Sequence, residues 1–453
     1  MELEKRGTLQ YSRDQFPPLP LISWDPMKKI LLLAPELEEL AEILRAAGLE
    51  VEVLEEGTDV DQALENLEDY EGVVLHPRPG DVRLATLVRR RARALTSRNQ
   101  DRLRVGLSFN MKRGSGSDEE AEFDAPRTID ALENGLRSFG YEVVRMEADP
   151  TFPGALESLD PDFVFNIAEG FRGRSRESQV PAFLEFRGVP FAGSDSVAIS
   201  ITLDKVLAKK IVVAADLDTP LFQTFHTGRE KPRKDMRYPL IVKPVAEGSS
   251  KGIMSKAVAQ NEAELLEKVK ECLQLYRQPV LCEEYIQGRE FTVGLIGNGR
   301  PVVLPVLEVA FTKSAGEFPV YSYEIKQEVI DGARYLCPAP IDDELRRRLE
   351  KRAREIFQAL ELRDFARIDF RVAKDGTIHF LEVNPLPGLT PGYSDLCVIG
   401  AAAGLSHEEL IGYILLAAMK RAGIPRKHLP KLEPLKNRVD ALYAKQRDQE
   451  HSP

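Results

Sequence analysis

The chain has few of the residues that define metal-binding and disulfide-bonded proteins. Its 453 residues include four cysteines, and none of them forms a CxxC pair or has a histidine at the spacing of a zinc site. Scattered cysteines in a chain of this size are typical of reduced thiols in the cytosol. We therefore expect neither a structural zinc site nor a disulfide framework.

Long apolar runs are also missing. The longest lies around 411–418, far short of the ~18 residues that a membrane span needs. Residues 1–10 are charged and lack the apolar core of a signal peptide. Acidic residues outnumber basic ones by 72 to 62, a formal net charge of −10, which is not the balance of a protein that coats nucleic acid or anionic membrane. We expect a cytoplasmic protein with small-molecule partners.

Known nucleotide-binding loops are absent too. The chain contains no GxxxxGK[ST] and no GxGxxG that opens a helix after a strand. With 43% hydrophobic and 30% charged residues, it has ample material for buried cores, and its length predicts about three domains. Short apolar runs alternate with helical periodicity, which indicates an α/β fold. If the protein uses ATP, it must bind the phosphates in another way.

Two segments carry lysines suited to phosphate. Lys205 lies in LDK, and Lys243 ends an apolar strand in IVKPVAEGSSKG. The loop after Lys243 contains Gly248 and Ser249, which let backbone N–H groups approach an anion closely. A lone lysine is usually a solvated surface charge, and this alternative stays open for each segment alone.

A third segment, CEEYIQGREFTVGLI, places two acids on neighbouring strands. Glu283 and Glu290 could face the adenine amino group and the ribose hydroxyls of a nucleotide. Two exposed acids at a sheet edge are the alternative.

The fourth segment is the most informative. RIDF and FLEVNPLPG form a predicted hairpin, in which Asp369 lies on one strand and Glu382 and Asn384 lie on the next. Positions two apart on a strand share a face. Carboxylate and amide oxygens, together with substrate phosphates, suit Mg²⁺. Arg367 shares the face of Asp369, so a cation would lie beside the metal. A salt-bridged hairpin would leave Asn384 and the PLPG turn unexplained.

In this order, the segments VKPVAEGSSKG, EEYIQGREFTV, YSYEIK, ARIDF and EVNPLPGLTP resemble the ATP-grasp superfamily, most closely its D-alanine–D-alanine ligase branch. The resemblance extends from about residue 103 to about 423. It implies an ATP-grasp fold of three α/β domains, with ATP held between the central and C-terminal ones. The implied divisions are 101–200 for the first domain, 201–285 for the central one and 286–425 for the one with the Mg²⁺ site. Residues 1–100 form an extra arm and small α/β segment, and 426–453 a charged tail ordered only in part.

The resemblance also implies roles for individual residues. The implied ATP-binding residues are Lys205, Lys243, Glu247, Gly248, Ser249, Ser250, Glu283, Glu284, Tyr285, Ile286 and Glu290. The implied catalytic residues are Arg367 at the transferring phosphoryl group, Ser250 and Lys326 on mobile loops, Gly388 near the reacting carboxylate, and Glu122 at a substrate amine. Asp369, Glu382 and Asn384 would hold Mg²⁺, with two ions expected and Mn²⁺ as a substitute.

The chain departs from the family pattern on the amino-acid side of the site. Gln327 replaces a tyrosine after the mobile-loop lysine, and Glu169 replaces a histidine. Tyr393 and Ser394 lie where the family has a serine, and Glu122 stands in a reshaped loop. The ATP side is intact, so the chemistry is better supported than the substrate.

We therefore expect an ATP- and Mg²⁺-dependent carboxylate–amine ligase that forms an amide or peptide bond through an acylphosphate. D-alanyl-D-alanine is the nearest specific product. Two alternatives stay open. One is a ligase for a different amino acid or peptide in a dedicated biosynthetic pathway, and the other is a nucleotide-binding regulatory protein that has lost ligation. A homodimer is the assembly considered.

Overall fold

The chain divides into two compact units in the computed structural model, Met1–Arg78 with Arg91–Ser97 and Pro79–Arg90 with Arg98–Pro453. The first unit is described by three strands, β1 (Lys29–Leu32), β2 (Glu50–Val53) and β3 (Tyr70–Val74). They form a parallel sheet in the order β2-β1-β3. The small α/β segment expected over residues 1–100 stays a prediction. In the second unit the structure describes residues 102–114, 120, 122–247, 257–312, 318–319 and 333–450, and side chains up to 444.

A parallel sheet opens the second unit. In chain order its elements are β4 (Arg104–Phe109), α1 (Pro126–Ser138), β5 (Glu142–Glu147), α2 (Phe152–Leu159), β6 (Phe163–Asn166), α3 (Gln179–Phe186) and β7 (Phe191–Ala192). The strand order is β5-β4-β6-β7. The inner face of α1 is buried at Ile129, Leu132 and Leu136. Because all the strands are parallel, the segments that follow β4 and β6 begin at the same edge, where α/β folds place ligands.

An antiparallel sheet follows two helices. The elements are α4 (Ser196–Leu203), α5 (Lys205–Ala214), β8 (Phe222–Phe225), β9 (Leu240–Pro244), β10 (Val258–Ala259), α6 (Glu262–Tyr276) and β11 (Val280–Glu284). The strand order is β10-β9-β11-β8. Asp204 caps α5 by accepting from the backbone N–H groups of Val206 at 3.1 Å and Leu207 at 3.0 Å. The cap fixes Lys205 in the first turn of α5.

The third sheet is also antiparallel. Its elements are β12 (Gly288–Ile296), β13 (Val302–Val303), β14 (Leu307–Phe311), β15 (Ala333–Leu336), α7 (Asp343–Ala359), β16 (Phe365–Ala373) and β17 (Ile378–Asn384). The order is β15-β14-β12-β16-β17, and β13 pairs with β12. Asp342 caps α7, whose buried face includes Leu349 and Phe357. This helix covers the apolar face of the sheet, which leaves the other face for polar side chains.

Three helices complete the chain, α8 (Asp395–Ala402), α9 (His407–Arg421) and α10 (Leu435–Glu450). The segment after 425, expected to be a charged tail ordered only in part, contains α10. Leu435 and Val439 of this helix are buried in the same core cluster as α9. The hydroxyl of Tyr413 donates to the carbonyl of Glu433 at 2.8 Å, which fixes the chain before the helix. Two apolar positions four apart were hidden by the high charge of the segment.

One sheet falls in each of the ranges 101–200, 201–285 and 286–425, although the boundaries themselves stay predictions. All four cysteines are free thiols. Within the described part of the chain, no helix has the length and apolar character needed to cross a bilayer.

The buried position of Leu435 leads to a prediction about stability. Leu435→Ala should lower the free energy of unfolding by about 2–3 kcal/mol, since it removes buried methyl groups from the α9–α10 contact. The midpoint of urea unfolding measures this. Lys436→Ala, at the exposed neighbouring position, is the matched control and should leave the midpoint unchanged. An unchanged midpoint in Leu435→Ala would show that α10 contributes nothing to the core.

Candidate active site

The β16–β17 hairpin brings the predicted metal ligands together. Asp369 lies opposite Glu382, and Arg367 lies opposite Asn384. This register depends on a bulge, because Phe370 pairs with Phe380 while the preceding residue, Asp369, pairs with Glu382. Leu381 is the extra residue.

Contacts with α5 and with the segment after it hold the bulge. The backbone N–H of Phe380 donates to the carbonyl of Asp218 at 2.8 Å. The carbonyl of Phe380 accepts from the hydroxyl of Thr219 at 2.8 Å and from Nζ of Lys209 at 3.3 Å. The backbone at the bulge is therefore bonded outside the strand ladder, as buried polar groups must be.

Asp369 is held from three directions. Its Oδ1 accepts from the hydroxyl of Thr292 at 2.9 Å, and its Oδ2 accepts from Nη2 of Arg367 at 3.0 Å and Nδ2 of Asn384 at 3.5 Å. Burial raises the pKa of Asp369 to about 6, because its effect exceeds the opposing attraction of Arg367, and Glu382 raises the pKa further. A carboxylate in this position gains from a bound cation.

The donor set fits Mg²⁺ that is completed by phosphate oxygens. Asp369 and Glu382 supply carboxylates and Asn384 an amide, and Mg²⁺ is typically bound by one or two carboxylates plus substrate phosphates. Within the described ranges, no group of three or more His, Cys, Asp or Glu side chains could hold a metal by itself. Nζ of Lys205 lies 3.6 Å from Oε2 of Glu382, so a cation for phosphate adjoins the set.

Lys243 and Glu283 form a buried charge cluster with Lys209. Oε1 of Glu283 lies 2.5 Å from Nζ of Lys243, and Oε2 lies 2.8 Å from Nζ of Lys209. Burial opposes the ionisation of Glu283, but the two lysines lower its pKa. Burial lowers the pKa of Lys209 to about 8, whereas the carboxylates around Lys243 raise its pKa despite burial. The carboxylate of Glu283 thus links Lys243, which is predicted to contact phosphate, to Lys209, which contacts the bulge.

The predicted adenosine segment joins the second and third sheets. Buried Arg371 donates through Nε and Nη2 to Oε2 of Glu290, at 3.1 and 2.7 Å, and through Nη1 to the carbonyl of Ile286 at 3.0 Å. The Tyr285 ring lies 4.8 Å from the Arg371 guanidinium. Glu284 accepts from the backbone N–H of Arg237 at 2.7 Å. Arg371 therefore holds the side chain of Glu290 and the backbone at Ile286 together.

The edge of the parallel sheet carries an acidic cluster around Arg176, which lies in the loop after β6. Nη2 of Arg176 is 2.8 Å from Oε2 of Glu122, 3.8 Å from Glu177 and 3.9 Å from Glu247. Burial, reinforced by Glu177 and Glu122, raises the pKa of Glu169 well above its ordinary value. Burial also raises the pKa of Glu177 to about 7. One arginine is shared among several acids here.

The loop after β17 is held close to Ser394. The Ser394 hydroxyl oxygen accepts from the backbone N–H of Thr390 at 3.0 Å. A Cβ added at Gly388 would lie 2.8 Å from the same oxygen, so a larger residue would displace the loop. Tyr393 is 51% exposed.

Comparisons with known proteins identify the family of the chain. A family model for the "D-ala D-ala ligase C-terminus" matches residues 212–416. The chain is 35% identical over 303 residues to an uncharacterized protein of Sinorhizobium fredii, covering 65% of this chain and 88% of that protein. It is 35% identical over 297 residues to a D-alanine–D-alanine ligase of Aquifex aeolicus, covering 64% of this chain and 94% of that ligase. The chain belongs to the D-alanine–D-alanine ligase family.

The fold agrees with this assignment. A crystal structure of the Bacillus anthracis D-alanine–D-alanine ligase complexed with ATP matches with a TM-score of 0.57 at 23% identity, covering 71% of this chain and 99% of that one. The predicted ATP-grasp fold is confirmed, and so is the assignment to ATP-grasp ligases. The individual site residues stay predictions.

Some predicted site residues of the ligase lie outside the described residues, namely Gly248, Ser249, Ser250 and Lys326, as does Gln327. Four charged residues that contact predicted site residues were not predicted from the sequence: Arg176, Lys209, Arg371 and Asp395. The alternation of Arg367, Asp369 and Arg371 along β16 could have indicated the third. Lys209 and Asp395 carry no local signal, because their partners are distant in sequence.

The acidic cluster leads to a prediction about pH. A carboxyl group whose pKa is raised on folding stabilises the protein at low pH, and this stabilisation is lost as the pH rises through the folded-state pKa. Replacing Glu177, whose pKa is about 7, should therefore stabilise the protein most above pH 7. Glu177→Gln should raise the melting temperature over wild type by a few degrees at pH 8 and by less at pH 5.

Thermal unfolding between pH 5 and 8 tests this, with the exposed Glu157→Gln as control. A Glu177→Gln effect that is the same at every pH would contradict the assigned burial of this charge.

Proposed function

We propose that this ligase joins a carboxylate to an amine at the expense of ATP, through an acylphosphate. The observation that carries the proposal is the β16–β17 face, where two carboxylates and an amide adjoin a buried arginine and a lysine. Family membership supports the ligase class. The proposed residues for each step follow from the contacts.

ATP would lie between the second and third sheets. Lys205 and Lys243 would contact its phosphates, since charge-assisted contacts to phosphate are the strong ones. The hinge at 284–286 would border the adenine and Glu290 the ribose. The Gly/Ser loop at 248–250 and Lys326 are proposed to close over the phosphates, and Glu247 to border them.

Mg²⁺ would be held by Asp369, Glu382 and Asn384, with two ions proposed and Mn²⁺ as a substitute. When bound, the metal neutralises phosphate charge and orients the γ-phosphoryl group. Arg367 would stabilise the charge on the transferring group.

The reaction has two displacements. A substrate carboxylate oxygen attacks the γ-phosphorus, an O–P bond forms, and ADP leaves. An amine nitrogen then attacks the acyl carbon, a C–N bond forms, phosphate leaves, and the amine loses a proton. The backbone at Gly388 would border the reacting carboxylate, and Glu122 would contact a substrate amine.

The amino-acid side supports a substrate other than two D-alanines. Glu169, Glu177 and Glu122 surround one arginine, and their carboxyl groups are crowded and buried. A cationic amine would reduce the repulsion between these carboxyl groups, whereas the side chain of D-alanine would not. A different, more basic amine is therefore the preferred substrate class, and D-alanyl-D-alanine formation is the second candidate. A homodimer and a cytoplasmic location are proposed by analogy with the family.

The metal assignment is tested by Glu382→Ala. Loss of this carboxylate should lower kcat for ADP formation roughly 10²–10³-fold, the size typical of removing one preorganised electrostatic group, while the melting temperature changes little. Asp375→Ala, at the exposed turn of the same hairpin, is the matched control and should retain wild-type turnover. Wild-type turnover in Glu382→Ala at matched Mg²⁺ would remove Glu382 from the site.

The substrate class is tested by phosphate release with paired acids and amines. D-alanine alone should support turnover poorly, because a polar site discriminates strongly against a substrate that leaves its groups unpaired, and amines that carry an extra cation should do better. Efficient D-alanyl-D-alanine formation with the other amines inert would establish the second candidate instead. ATP binding without turnover for any pair would favour the regulatory alternative.

A further inference from the structure

A chain of buried contacts extends from Arg367 away from the metal ligands. Nη1 of Arg367 donates to Oδ2 of Asp395 at 2.7 Å, and Nη2 donates to Oδ2 of Asp369 at 3.0 Å. The hydroxyl of Tyr335 donates to the other oxygen of Asp395, Oδ1, at 2.8 Å. Asp395 is 5% exposed and Arg367 8% exposed. The guanidinium is thus held on two sides by carboxylates from different elements.

We propose that Asp395 and Tyr335 are positioning residues that fix the Arg367 guanidinium toward the transferring phosphoryl group. The proposal rests on the ligase function proposed above. Neither residue needs to touch a substrate, because each acts through Arg367.

The geometry explains why the orientation is unique. A guanidinium is a planar fork, so two carboxylates bonded to its separate terminal nitrogens fix both its position and its plane. Nε of Arg367 is buried and has no hydrogen-bond partner within the described ranges. This donor is therefore free to bond an oxygen of the transferring phosphoryl group.

Tyr335 fixes Asp395 in turn. Burial, together with Asp395, raises the pKa of Tyr335, so the hydroxyl stays protonated and donates. Asp395 is the first residue of α8, where the helix N-terminus favours a carboxylate. The acid is therefore held by a strand, a helix end and the arginine together.

The contact between Arg367 and Asp395 also joins the two ends of the loop at 385–394. This loop leaves β17 after Asn384 and ends at Asp395, so the Arg367–Asp395 pair joins its end to the strand beside its start. Within the loop, the carbonyl of Leu389 lies 2.9 Å from Nε2 of His407. Asp395 therefore fixes the end of the loop that contains Gly388 relative to Arg367, in addition to orienting the arginine.

The test compares the full chain with Asp395→Asn, Asp395→Glu and Tyr335→Phe. Asp395→Asn should lower kcat roughly 10- to 100-fold, as expected for a group that orients a ligand-contacting residue, and change KM for ATP less than about threefold. Tyr335→Phe should cost roughly 2- to 10-fold in kcat, the equivalent of one hydrogen bond. Asp395→Glu should recover part of the loss.

Glu308→Gln is the matched control. It breaks another carboxylate–arginine pair, that of Glu308 with Arg289 at 2.7 Å, in the sheet that carries Arg367. Glu308 lies opposite Phe291 on the neighbouring strand. Phe291 is next to Thr292, whose side chain faces the site, so Phe291 and Glu308 face away from it. It should change the melting temperature without changing kcat. If Asp395→Asn and Glu308→Gln lose kcat in proportion to stability, Asp395 is merely structural and the inference is wrong.

A binding measurement separates this inference from the proposed function. Calorimetry with ADP, Mg²⁺ and aluminium fluoride, which mimic the transferring phosphoryl group, needs no amine or acid. Asp395→Asn should weaken binding of the mimic at least roughly tenfold more than binding of ADP alone. Equal binding by wild type and variant overturns the inference alone, whereas a wild-type chain that binds no adenine nucleotide overturns the proposed function with it.

Discussion

The bulge at Leu381 is the constraint on which the candidate active site depends. Continued without it, the pairing of Phe370 with Phe380 would bring Leu381 opposite Asp369 and turn Glu382 toward the buried Ile368. The extra residue reverses this and leaves Phe380 in the core. The lost ladder bonds are offset by the bonds of the Phe380 backbone to the segment after α5.

The bulge is also linked through charge to a lysine proposed to contact the nucleotide phosphates. Lys209 bonds the Phe380 carbonyl and the carboxylate of Glu283, which in turn pairs with Lys243. Buried ions are costly unless they are paired, so these groups form one compensated network. The residues proposed for phosphate and those proposed for metal therefore depend on each other, and a change in the third sheet reaches the second through Lys209.

The two sides of the site differ in how their carboxylates are compensated. On the side proposed for ATP two lysines lower the pKa of Glu283, whereas on the side proposed for the amino acids Arg176 is shared and burial raises the pKa of Glu177 to about 7. This contrast has a local cause, since the chain places several acids around one cation at the edge of the parallel sheet. It agrees with the departures from the family pattern, which all lie on that side.

The sequence by itself determined the α/β fold, the hairpin and the oxygen donors of β16 and β17, because these follow from local periodicity and from motifs of adjacent residues. Only the tertiary structure decided the bulge register, the order of α10 and the partners of Lys209 and Asp395. These depend on contacts between residues far apart in the chain. The burial that gives such charges their effect exists only once the sheets and helices have packed.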